Sequence, residues 1–120
     1  MGDLLQGHIA AVTGGGSGIG RAIAKGFAAE GGAIAVLELN MDGAAETVAD
    51  IEAAGGTAQA FAFDVTDPDA CHAVAGAVEA ALGEVSVLVN SAGIARRNHV
   101  TSDQIAEDWK AVIDVNLNGV

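Results

Sequence analysis

The chain of 120 residues carries 16 acidic and 5 basic side chains, a formal net charge of −11. That balance speaks against nucleic acid and anionic membrane as partners, because both bind through basic surface. Hydrophobic residues make up 51% but aromatic ones only 3%, so one modest core must be assembled from Ala, Val, Ile and Leu. Cys71 is the only cysteine, which rules out an intrachain disulfide and points to a reducing, cytoplasmic setting. No apolar stretch reaches the length of a membrane span, and the first residues lack the basic-then-apolar pattern of a signal peptide.

The first expected element is a strand over His8–Thr13. It runs into Thr13-Gly14-Gly15-Gly16-Ser17-Gly18-Ile19-Gly20 and then into a helical pattern. There Ile19, Ile23 and Phe27 recur on one face until Gly31-Gly32. Strand, glycine turn and helix N-terminus in that order present free backbone N–H groups and about half a positive charge to an anion. Gly14, Gly18 and Gly20 suit a pyrophosphate cradle: a tight turn, close approach of backbone to phosphate, and close helix–sheet packing. A plain flexible turn is the alternative for the glycines taken alone.

A second strand is expected over Ala33–Glu38. Glu38 stands at its end, 18 residues after Gly20. A dinucleotide fold places a carboxylate on the ribose hydroxyls at an interval of roughly 20 residues. A carboxylate there repels a 2′-phosphate, and neither Ser17 nor Leu39 supplies a cation to offset it. The expected cofactor is therefore NAD, with NADP less favoured; the alternative is a merely charged strand end. The second helix opens at Asn40, carries Ala44, Val48 and Ile51 on one face, and stops at Gly55-Gly56.

The third strand, Thr57–Phe63, is followed by Asp64-Val65. That carboxylate either meets the exocyclic amine of an adenine or simply begins a turn. Asp67 is the expected N-cap of a third helix with Pro68 at its first position and Cys71, Val74, Val78 and Leu82 in line; Gly83 follows its last turn. After the fourth strand, Val85–Asn90, the small residues Ser91, Ala92 and Gly93 leave room for a ribose and nicotinamide, and Asn90 is placed to bridge neighbouring strand ends. An ordinary strand exit is the alternative. Arg96 and Arg97 are a solvated pair or a guide for an anionic substrate.

The last helix is expected near Thr101, which forms a capping-box pattern with Gln104. Ile105, Trp109, Val112 and Asn116 then share one face, expected to be buried. An unpaired buried amide costs about 1–3 kcal/mol, so Asn116 needs partners in backbone, water or a ligand network. His8, His72 and His99 do not cluster, and no metal is expected. The alternation of strands and helices implies an α/β fold, a Rossmann-type doubly wound parallel sheet in one domain over residues 1–120, ending after its fourth helix.

Taken together these residues resemble the short-chain dehydrogenase/reductase family. Residues Thr13 to Gly20 match its Thr-Gly-x-x-x-Gly-x-Gly signature, and Asp64-Val65 occupies its adenine-contact position. Asn90-Ser91-Ala92-Gly93 is similar to its Asn-Asn-Ala-Gly element, with Ser91 in place of the second Asn. Asp114-Val115-Asn116-Leu117-Asn118-Gly119 resembles the segment that carries its structural and catalytic Asn. The resemblance implies an oxidoreductase moving hydride between nicotinamide and a small alcohol or carbonyl substrate. In it Thr13 and Ser17 hold the turn and a phosphate, Ile19 offers its N–H to the pyrophosphate, and Asn116 joins a proton relay as the catalytic residue of this segment.

The family is roughly twice as long and carries a catalytic Ser and a Tyr-x-x-x-Lys pair further on, whereas this sequence contains no Tyr. The expectation is a cofactor-binding half that lacks the catalytic and substrate-binding half and does not turn over alone. Its fourth strand would be a bare apolar edge, inviting self-association or pairing with the missing half. The competing functions are a non-catalytic nucleotide-binding or assembly module and a methyl-donor-binding domain; the latter leaves Asn116 without a role.

Overall fold

The apolar run before the glycine turn forms β1 (Ile9–Thr13), and the turn delivers the chain into α1 (Gly18–Ala29). There follow β2 (Ala33–Glu38), α2 (Met41–Ala53), β3 (Thr57–Ala62), α3 (Pro68–Ala81), β4 (Val87–Asn90) and α4 (Ile105–Ile113), the last continued by one π-helical turn, Asp114–Asn118. The structure is a computed structural model and describes residues 2–94 and 103–120. Arg96, Arg97, His99 and the Thr101 half of the expected capping box lie outside the described residues.

All strand pairs are parallel, in the order β3-β2-β1-β4. Thr13 is in register with Leu37 on one side and with Asn90 on the other. The chain thus steps outward from β1 in one direction to β3, then crosses to the opposite side for β4. Ligand crevices of open α/β sheets form outside the carboxyl ends of the strands at such a reversal, here between β1 and β4.

Alternation along the strands sends Ala10, Val12, Ile34 and Val36 to one face, where they pack on Ala24 and Ala28 of α1 and on Ala44 and Ile51 of α2. Ala11, Ala35 and Leu37 face the other way, onto Phe63 and Val78, with Cys71 and Val74 of α3 and Leu82 just after it packed around them. Helices cover both faces, as the doubly wound reading requires. Asn40 caps α2 by accepting from the N–H groups of Asp42 and Gly43, and Asp67 caps α3 by accepting from Asp69 and Ala70, with Pro68 in the first turn. His8 is structural: its Nδ1 is 2.9 Å from the Ser86 hydroxyl, which also receives the Ile9 N–H.

Two expected faces are corrected. The buried residues of α1 are Gly20, Ala24 and Ala28, not the Ile19 stripe; Ile19 is 76% exposed and Phe27 only partly covered. The reason is distance. A Cβ on Gly20 would collide with the carbonyl of Gly14, so α1 lies too close to the sheet for large side chains at that end. The face of Ile105, Trp109, Val112 and Asn116 is likewise not buried: Trp109 is 70% exposed, and α4 contains no buried residue. Among the described residues no strand follows β4 for that helix to cover.

Candidate functional site

The carboxyl ends of the strands open into a crevice of about 540 Å³. Its walls include Gly14, Ser17, Gly18, Ile19 and Gly20 from the glycine turn, Glu38 from β2, Asp64 and Val65 after β3, and Ala92 and Gly93 after β4. Ten of the residues singled out in the sequence therefore meet in one place, although they come from four separate loops.

The glycine turn is shaped by contact as well as by dihedral angle. Gly14 has φ +67 and Gly18 φ +54, in the left-handed region that side chains disfavour. A Cβ on Gly14 would also lie 2.8 Å from the Ala92 Cα, so the turn closes directly against the loop after β4. Ser17 occupies the N-cap position of α1 but makes no capping bond, and the first turn holds no acidic side chain. The N-terminal amides of α1 thus face the crevice with no carboxylate of their own helix to neutralise them.

Glu38 stands against the turn at the end of β2 and lines the same crevice. Its Oε2 accepts from Gly16 N–H at 3.0 Å, and its Oε1 accepts from Leu39 and Asn40 N–H at 3.1 and 3.3 Å. Three backbone amides therefore orient the carboxylate. Asp64 begins a turn and also lines the crevice. Its Oδ1 accepts from the Thr66 hydroxyl at 2.7 Å and from the Thr66 N–H at 2.9 Å, and these bonds hold its carboxyl below the ordinary carboxylate value.

Three expected site residues lie elsewhere. Thr13 is buried, its hydroxyl donating to Val89 C=O at 3.3 Å and accepting from Ser91 and Ala92 N–H at 3.0 and 3.2 Å. It fixes the exit of β4 from behind the crevice. Asn90 lies on the α3 side of the sheet and lines, with Thr13, Leu88 and Val78, a separate apolar groove of about 550 Å³. Asn116 is exposed and lines neither space. Its amide pairs with the backbone of Ile94, which does line the crevice.

The family model for short chain dehydrogenases matches residues 8–120. The chain belongs to that family. It is 40% identical over 116 residues to D-threitol dehydrogenase of Mycolicibacterium smegmatis, covering 96% of this chain and 44% of that protein. It is 42% identical over 114 residues to 2-dehydro-3-deoxy-L-rhamnonate dehydrogenase (NAD(+)) of a Sphingomonas species, with 95% and 44% covered. A solved citronellol catabolism dehydrogenase of Pseudomonas aeruginosa superposes with a TM-score of 0.87 at 28% identity, over 99% of this chain and 48% of that one. This short-chain dehydrogenase sequence therefore spans less than half the length of these relatives.

Three residues that contact the glycine turn of this short-chain dehydrogenase were not singled out in the sequence: Arg21, Gly43 and Thr47. Thr47 is fully buried in α2, and its hydroxyl donates to Gly15 C=O at 2.8 Å. A Cβ on Gly43 would stand 2.6 Å from the Gly16 oxygen, so α2 touches the glycine turn there. A glycine in the first turn of a helix and a mid-helix threonine were the available signals, since both are poor helix formers. Among the described residues no group of three or more His, Cys, Asp or Glu is placed to hold a metal ion, and no helix is long and apolar enough to cross a membrane.

Proposed function

We propose that the crevice binds a nicotinamide dinucleotide, NAD in preference to NADP, as the cofactor-binding part of an oxidoreductase acting on a small alcohol or carbonyl compound. One observation carries the reading: the uncapped N-terminus of α1 and the carboxylate of Glu38, which is bonded to the turn at Gly16, line one crevice at the carboxyl ends of the strands. The residues fit such a ligand. Gly14 and Gly18 hold the turn in the left-handed backbone region that side chains disfavour, and Glu38 offers acceptors for ribose hydroxyls while opposing a 2′-phosphate. The name of the Sphingomonas relative, which specifies NAD(+), supports the same preference.

Gly18, Ile19 and Gly20 would hold the pyrophosphate through main-chain amides, with Ser17 beside them. Asp64 and Val65 would border the adenine, and Ala92 and Gly93 would leave space for the nicotinamide ribose. When bound, the dinucleotide supplies a nicotinamide ring that accepts or donates hydride. Asn116 would hold the loop at Ile94 in place beside that ring and take its part in a proton relay through this loop. The acid/base residue is not a tyrosine of these 120 residues, which contain none. We therefore expect cofactor affinity without turnover from this chain alone, self-association or pairing with a catalytic half through β4, and a cytoplasmic setting.

Titration calorimetry tests the reading. NAD should bind, NADP should bind more weakly, and Glu38→Ala should weaken NAD while narrowing the gap. Absence of NAD binding, tighter binding of S-adenosylmethionine, or identical affinities in Glu38→Ala would overturn it.

A further inference from the structure

Arg21 follows the glycine turn directly, yet it does not line the crevice. Its guanidinium is used on backbone and on one buried hydroxyl. Nη2 donates to Gly16 C=O and, at 3.3 Å, to Gly43 C=O, while Nε donates to Thr47 Oγ1 at 3.0 Å. The same Nη2 reaches Glu46 at 3.1 Å, but that carboxylate is 69% exposed, and an ion pair of this kind contributes little. The carbonyl contacts are the distinctive ones.

These bonds converge on the peptide units that flank Gly16. The Gly15–Gly16 peptide accepts from Thr47 through its C=O and donates to Glu38 through its N–H. The next peptide accepts from Arg21. A Cβ on Gly16 would lie 2.8 Å from Glu38 Cγ, so the turn and the acidic side chain are in direct contact. The direction in which Gly16 N–H points is thereby set by Thr47 and Arg21, and that N–H is one of three donors orienting the carboxylate.

We propose that Arg21, working with Thr47, is a positioning residue that aims the Glu38 carboxylate at the cofactor's ribose and so sets the preference between NAD and NADP. The inference rests on the dinucleotide reading above. A planar fork of donors is needed, because one head group must serve two carbonyls and a hydroxyl in fixed directions. A lysine ammonium is a compact point charge and does not reproduce this.

The test uses Arg21→Met, Arg21→Lys and Thr47→Val in the full 120-residue chain, with Lys25→Met as control. Lys25, on α1 like Arg21, makes a surface pair with Asp50 of α2 at 3.4 Å and has no part in the turn. Two quantities are read: the exchange rate of the Gly16 amide by NMR, and calorimetric affinities for NAD and NADP. Loss of a charge-assisted hydrogen bond predicts about tenfold faster Gly16 exchange and about tenfold weaker NAD binding. NADP should change less, so the NAD-to-NADP ratio shrinks. Lysine should not restore the ratio, and Lys25→Met should leave both quantities unchanged. Unaltered Gly16 exchange, equal weakening of both dinucleotides, or full rescue by Arg21→Lys would overturn the proposal. Failure of the parent chain to bind either dinucleotide would instead sink the cofactor reading, while the exchange measurement still decides whether Arg21 holds the turn.

Discussion

The side chain of Asn116 pairs with the backbone of Ile94 as a neighbouring strand would. Its Oδ1 accepts from Ile94 N–H at 2.8 Å, and its Nδ2 donates to Ile94 C=O at 2.8 Å. A π-helical turn thus supplies, through one amide, the partner that Ile94 finds in no strand among the described residues. Asn116→Ala should cost about 0.5–1.5 kcal/mol per bond in urea denaturation and speed exchange of the Ile94 amide. Asn116→Asp keeps only the acceptor and should fall between. Unchanged Ile94 exchange in both variants would mean the pair is not formed in solution.

Thr13 makes a similar link deeper in the fold, with its hydroxyl joined to Val89, Ser91 and Ala92. Thr13→Val preserves shape but leaves two amides and a carbonyl without that partner. We expect a loss of about 1–3 kcal/mol by thermal or chemical denaturation, because the site is buried. A loss near zero would show that water or a shifted loop replaces the hydroxyl.

Two glycine substitutions in α1 should have opposite signs. Gly20→Ala drives a Cβ into the Gly14 carbonyl, which should destabilise by about 1–3 kcal/mol and abolish dinucleotide binding. Gly26→Ala meets nothing within 4 Å and should stabilise by about 0.5–1 kcal/mol, from helix propensity alone. Parallel melting curves of the two variants check this, and a shared sign would contradict the packing described.

Asp64 gives the fold an acid-sensitive contact. The Thr66 bonds hold its carboxyl below the ordinary value of 3.8. A depressed value in the folded state means the stabilisation is complete above the ordinary carboxylate range and is lost as pH falls through the folded value. Thr66→Val removes the hydroxyl and should return Asp64 toward 3.8, so the variant loses less stability between about pH 5 and pH 2. NMR titration of the Asp64 side chain reads the shift directly; identical titration in both proteins would refute it.

Leu88, 61% exposed on the edge strand, shares its groove with Val74, Val78 and Val85. That face should drive concentration-dependent association, visible in light scattering, and Leu88→Lys should suppress it. A parent chain that stays monomeric at all concentrations would remove the prediction.

Much of this was legible in the order of residues. Asn40 and Asp67 announce their helices because a cap and the amides it accepts lie two or three residues apart, within the reach of local chemistry. The glycine turn, Glu38, Asp64 and Ala92–Gly93 were readable as one set because parallel strands of similar length must end on the same side. What the chain alone left open depends on contacts between residues far apart in it. Whether Ile19 or Ala24 faces the sheet follows from how closely Gly20 meets Gly14, a distance set only when α1 docks. Asn90 turns toward the α3 side by the parity of β4, and Asn116 finds Ile94 rather than a core, 22 residues away. Arg21 and Thr47 came forward only after α2 had closed on the glycine turn, since hydrogen bonds spanning 26 and 32 residues leave no mark on local periodicity.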